Sequence, residues 1–131
     1  MAKSALVIHC SQAGRKALSG MARAGLRLPD EIRTMELSCA GGINEVLLME
    51  TLEDGIDGVA LLGCRKDNCK NINGNLRAEK RVKRVVELLN SAGIKNKAIE
   101  MIFTAPDEGR RLHKRLISFF ASLDTFKRAK E

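Results

Sequence analysis

Four cysteines, Cys10, Cys39, Cys64 and Cys69, are the residues of this 131-residue chain whose chemistry goes beyond that of an ordinary core. Soft thiolates can bind zinc, copper(I) or an iron–sulfur cluster, or can exchange disulfides. Cys64 and Cys69 share the stretch Cys-Arg-Lys-Asp-Asn-Cys. This Cys-x4-Cys spacing occurs among plant-type [2Fe–2S] proteins, whereas the commoner zinc knuckle, Cys-x2-Cys, is absent from the sequence. Simple charge counting gives an oxidised tetrathiolate [2Fe–2S] unit about −2, and reduction adds one more negative charge. Arg65, Lys66, Lys70 and Arg77 can offset that charge. Small residues abut the sulfurs: Ser11 and Gly14 follow Cys10, Gly41 and Gly42 follow Cys39, and Gly63 precedes Cys64. They let backbone amides come close to a ligand. The residues therefore predict one shared metal–thiolate site, with iron preferred and structural zinc or a thiol–disulfide switch as alternatives.

Such a site exists only if the fold gathers cysteines that lie far apart in sequence. Short apolar runs alternate with helical patterns. Ser4–His9 reads as a buried strand, Ile32–Leu37 as an alternating edge strand, Val59–Leu62 as a wholly apolar strand and Ala98–Phe103 as a fourth. Helices are predicted over about Ala13–Ala24, Ile43–Asp54 and Leu76–Ala92, the first with Ala17, Met21 and Ala24 on one face. Ile43, Val46, Leu47 and Met49 are the expected apolar positions of the second, and Ala78, Val82, Val85, Val86 and Leu89 those of the third. A last helix is expected to open near Pro106, with Asp107 and Glu108 facing its dipole and Leu112, Leu116, Phe119, Phe120 and Leu123 buried. The order βαβαβαβα predicts a single α/β domain: a mostly parallel four-stranded sheet with helices on both faces and the flavodoxin-like order 2-1-3-4. Every cysteine then falls at or just beyond the carboxyl end of a strand. In a parallel sheet those ends share one rim, the rim where ligands bind.

Composition bounds the rest. Hydrophobic residues make up 44% of the chain, enough for a real core, and one domain over 1–131 is expected, with an ordered core of about 4–123 and a charged tail over 124–131. No apolar run nears the roughly 20 residues of a membrane span, and Ala5–Ile8 is too short for a signal-peptide core. A cytoplasmic protein is expected, in which cysteines serve metal or redox chemistry more readily than structural disulfides. The net charge is +7, and residues 65–97 hold ten Lys or Arg against three Asp or Glu, so that window carries the whole excess. The face Arg77, Lys80, Arg81, Lys83 and Arg84 is either a solvated surface or a docking surface for an acidic partner. A nucleic-acid-binding domain is disfavoured by the lack of Trp and Tyr for stacking, and the sequence has neither a Walker pattern nor Gly-x-Gly-x-x-Gly. His9 is expected to be a buried strand residue next to the site, and His113 to be exposed.

Longer motifs carry a resemblance. Gly63-Cys64-Arg65-Lys66-Asp67-Asn68-Cys69-Lys70, followed by Gly74-Asn75-Leu76-Arg77-Ala78-Glu79-Lys80-Arg81, resembles the Gly-Cys-x4-Cys loop and Gly-Asn-x-x-Ala-Glu-x-Arg helix start of the delta subunit of methyl-viologen-reducing hydrogenase. Ser38-Cys39-Ala40-Gly41 is similar to that family's Cys-Ser-Gly element, and Cys10-Ser11-Gln12-Ala13-Gly14 to its first cysteine region. The likeness covers about residues 4–123. It implies a non-catalytic electron-transfer subunit with a [2Fe–2S] cluster on Cys10, Cys39, Cys64 and Cys69. The implied partners are a hydrogenase or dehydrogenase module and a flavin-containing subunit of the heterodisulfide reductase type. The alternative from another class is a zinc-stabilised interaction module without redox role. Two departures stand out: Val7 sits where the family usually has a further cysteine, and His9 and Gln12 sit where aromatics are usual.

Overall fold

The computed structural model describes residues 3–10, 13–37, 44–64, 74–94 and 97–130, with only the backbone described at Cys64, at 74–75 and over 124–130. In chain order the elements are β1 (Ala5–Cys10), α1 (Ala13–Arg23), β2 (Ile32–Leu37), α2 (Glu45–Glu53), β3 (Gly58–Cys64), α3 (Gly74–Ser91), β4 (Ala98–Thr104) and α4 (Gly109–Lys130). The strands form one parallel sheet in the order β2-β1-β3-β4, as expected from the alternation of elements.

Burial explains the order. The central strands are near-continuous apolar runs because both their faces are covered: Ile8, Val59, Ala60, Leu61 and Leu62 are wholly buried. Burying a side chain such as Leu61 contributes roughly 1.5–3 kcal/mol. β2, at the edge of the sheet, has no fully buried residue: Ile32, Met35 and Leu37 are half-buried, Ile32 against one core layer and Met35 and Leu37 against the other, and Arg33, Thr34 and Glu36 are exposed. Strand alternation divides the core in two. Ala5, Val7, Ala60, Leu62, Ala98 and Ile102 face α1 and α4, meeting Ala17, Met21, Leu112, Leu116, Phe119 and Leu123. Ile8, Val59 and Leu61 face α2 and α3, meeting Leu48, Leu52, Ala78, Val82, Val85 and Leu89.

The register is what positions the site. Ala5 pairs with both Ile32 and Gly58, and Gly58 pairs with Ala98, so all four strands begin in one row. The row is held by Asp57, just before β3. Its N–H donates to Ser4 O at 3.0 Å, its carbonyl accepts from Ala98 N at 3.0 Å, and its buried carboxylate accepts the Ser4 N–H at 2.9 Å. Lys97 Nζ lies 4.0 Å from the Asp57 carboxylate and donates to Ile56 O at 3.0 Å.

Three local expectations need correction. α4 opens at Gly109, not near Pro106, and has no acidic residue in its first turn. Glu108 instead folds back, its N–H on Ala105 O at 3.1 Å and its carboxylate accepting from Ala105 N at 2.9 Å, which closes a turn ahead of the helix. In α2 the buried residues are Leu48 and Leu52, while Val46 is 65% exposed. α1 ends at Arg23, which leaves Ala24 exposed in the turn that follows.

Candidate metal centre

Equal starts give equal ends. Counting five residues from the common row reaches Cys10 on β1, Leu37 on β2, Gly63 on β3 and Phe103 on β4. The pairs Cys10↔Leu37 and Gly63↔Phe103 agree. Cys64 lies one residue further, paired with Thr104. β1 and β3 are neighbours about 4.8 Å apart, so the backbone of Cys64 stands diagonally across from Cys10, one residue further out on the carboxyl rim. β2 ends beside Cys10, two residues before Cys39. Cys39 and Cys69 lie outside the described residues, as do Arg65, Lys66 and Lys70. Among the described residues no group of three His, Cys, Asp or Glu could hold a metal ion, and Cys10 is the one cysteine whose side chain is described.

The surroundings of Cys10 suit a bound sulfur. Its side chain is buried beside Ala13, and its Sγ accepts the N–H of Gly14 at 3.2 Å. Hydrogen bonds of this kind are one of the factors that set the potentials of iron–sulfur clusters. The approach is close: a Cβ on residue 14 would stand 3.0 Å from His9 Cβ and 3.4 Å from Cys10 Sγ, tight enough that a neighbour would have to give. Each helix follows a strand, so α1, α2, α3 and α4 all point their amino ends at this rim. Their positive partial charge favours an anionic group there.

His9 is buried, as expected, and sits beside the sulfur-bearing residue. Its Nδ1 lies 3.1 Å from the Cys10 carbonyl oxygen, so Nδ1 carries the hydrogen and donates. His113 departs from expectation: it is partly buried and its Nε2–H donates to Arg27 O at 2.8 Å, which ties α4 to the segment before β2. Thr104 went unnoticed in the sequence. It is a buried hydroxyl on the same rim, paired with Cys64 and donating to Ala105 O at 3.3 Å. Its polar place at the end of an apolar strand was the available signal.

Beside this rim, α3 and the start of α2 form a shallow groove of about 230 Å³ lined by Glu45, Arg77, Lys80, Arg81 and Arg84. Arg84 Nη1 lies 3.4 Å from Glu45 Oε1. No helix among the described residues is long and apolar enough to cross a membrane.

Residues 5–126 match the family described as methyl-viologen-reducing hydrogenase, delta subunit. Among curated proteins, the chain is 33% identical over 107 residues to a subunit of the ferredoxin/F420H2-dependent CoB-CoM heterodisulfide reductase of Methanosarcina acetivorans, covering 82% of this chain and 13% of that one. The corresponding subunit of the ferredoxin:CoB-CoM heterodisulfide reductase of Methanosarcina mazei matches to the same extent, so the chain spans only about 13% of the length of these two relatives. It is 30% identical over 99 residues to an iron-sulfur subunit of the F420-non-reducing hydrogenase vhu of Methanocaldococcus jannaschii, covering 76% of this chain and 74% of that one.

Proposed function

The chain belongs to the delta-subunit family of methyl-viologen-reducing hydrogenase, and from that premise we propose that it is an electron-transfer subunit holding a [2Fe–2S] cluster on Cys10, Cys39, Cys64 and Cys69. Relatives named as subunits of hydrogenase and of heterodisulfide reductase support a place in such complexes. The observation that carries the reading is the flush register. It brings Cys10 and the backbone of Cys64 to one rim, and it ends β2 beside Cys10 with Cys39 two residues on.

Four thiolates are the donor set an all-cysteine cluster takes, and the buried, amide-bonded Cys10 Sγ fits a ligand role. Such a cluster, when bound, takes up and returns one electron at a time. The chain's own residues do the rest. The Gly14 N–H and the helix amino ends favour the added negative charge, His9 fixes the Cys10 peptide, and the apolar core beneath excludes water. No residue is required to make or break a bond in a substrate. The electron passes between a hydrogenase or dehydrogenase module on one side and a flavin-containing subunit of the heterodisulfide reductase type on the other.

Anaerobic reconstitution with iron and sulfide tests this. Iron and acid-labile sulfide of about two each per chain, with visible absorbance that bleaches on reduction, is the expected result. Colourless protein with zinc at about one per chain would replace the relay with a structural zinc site.

A further inference from the structure

The charges on α3 are segregated. At about 100° per residue, its buried stripe runs through Ala78, Val82, Val85 and Leu89. On one flank Arg77, Lys80, Arg81 and Arg84 fall together with no acidic residue of α3 among them, and Leu88 continues that stripe, 47% exposed. On the other flank Glu79, Lys83 and Glu87 alternate in sign. The basic flank forms the groove against the start of α2, where Glu45 lines it. The other acidic residues of α2, Glu50 and Glu53, do not line it.

The geometry points to this groove as the docking surface for an acidic face of the electron-transfer partner protein, and the identity of that partner rests on the relay reading above. Three observations select the occupant. The groove already takes a carboxylate, since Glu45 sits at Arg84 within the chain and marks where a partner's Asp or Glu can be received. Its basic stripe continues in Leu88, 47% exposed and one turn past Arg84, and a surface where Arg and apolar side chains sit together suits a protein better than a phosphate backbone. Its position is the one a relay needs: α3 starts at Gly74, five residues after Cys69, and the stripe from Arg77 to Leu88 runs about 16 Å along the helix away from the rim. A partner seated at its Arg77 end lies beside the rim where β1 and β3 end in Cys10 and Cys64.

The probe is poly-L-glutamate, with a random-sequence DNA duplex as competitor, on metal-free and on reconstituted protein at low and moderate salt. Wild-type protein should bind poly-L-glutamate in a salt-sensitive manner. The variant K80E/R81E/R84E should lose about tenfold or more of that affinity, and the equally charge-changed control K83E/R110E/K114E should stay within about threefold of wild type. Where the triple groove variant fails to fold, the milder Lys80→Gln/Arg84→Gln carries the test, with a loss of about threefold expected. Equal losses in groove and control variants would reduce the effect to net charge and overturn the proposal. So would tighter binding of the DNA duplex, abolished by the same groove variant, which would make this a nucleic-acid face. The relay and the surface fail separately. Protein that loads no iron but shows groove-dependent binding ends the first alone, and loaded protein without such binding ends the second alone.

Discussion

The two ends of the sheet are built in opposite ways. At the amino end the strands start in one row, and Asp57 closes it by engaging Ser4 and Ala98 while Lys97 caps Ile56. Ser4, Asp57 and Lys97 use their polar groups there for contacts within the chain. At the carboxyl end Cys10 and the backbone of Cys64 close β1 and β3, and the helices that follow the strands turn their amino ends to that rim. The β3–α3 connection, residues 65–73, is longer than the α2–β3 connection, residues 54–57, at the opposite end. The difference teaches a division of labour. One rim specifies the register, and the register in turn sets the level at which Cys10 and Cys64 end their strands on the other rim. The sheet's stability and the site's chemistry are therefore separable by mutation.

The sharpest test of that separation is at the cysteines. Replacing Cys64 by Ser keeps the size of the side chain but removes a soft thiolate at a strand end. Iron retained after reconstitution should fall from about two per chain to a small fraction of that. Urea unfolding of the metal-free protein should move little. A Cys64→Ser protein with full iron and an unaltered spectrum would remove Cys64 from the ligand set.

The opposite end should break the other way. Asp57→Ala leaves the Ser4 N–H without its carboxylate and Lys97 without its counter-charge in a buried setting. The expected cost is about 1–3 kcal/mol, read as a lower urea midpoint with unchanged slope. Iron bound per folded chain should match wild type. If Asp57→Ala lost its iron while remaining folded, the two rims would be coupled and the comparison would fail.

What could be read from the sequence follows the same line. The strands were legible because a buried parallel strand is a nearly pure apolar run, as at Val59–Leu62, and because β2 mixes polar with apolar residues as an edge does, although its burial does not alternate: Arg33 and Thr34 are both exposed. The shared rim was legible too, since parallel connections leave no other place for residues just after strands. The face of α2 was not legible: Val46, Leu47, Leu48, Met49 and Leu52 surround the helix, so periodicity does not choose which side is buried. The start of α4 depends on a turn that Glu108 closes on Ala105, a local competition that a proline rule misses. His113 finds its acceptor in Arg27, a contact only the tertiary fold creates. The one-residue offset between Cys10 and Cys64 at the rim required the register itself, which no residue pattern states.

The smallest effect is expected at Gly14, where the two concerns touch. Alanine there gains helix propensity, up to about 1 kcal/mol in a helix interior and less in a first turn. Against that, the new Cβ stands 3.0 Å from His9 Cβ. That atom belongs to a buried strand residue whose ring is held by the Cys10 carbonyl, so it has little room to give. Overpacking of this kind costs about 1–3 kcal/mol. The clash outweighs the propensity gain, and Gly14→Ala should be less stable by about 1 kcal/mol, seen as a modest drop in urea midpoint. The relief available is for α1 to back away from β1, which lengthens the 3.2 Å Gly14 N–H to Cys10 Sγ bond. A weaker donor on a ligating sulfur favours the more negative reduced state less, so the reduction potential of the reconstituted protein should fall. A variant with raised stability and an unmoved potential would show that neither the close approach nor this amide matters to the site.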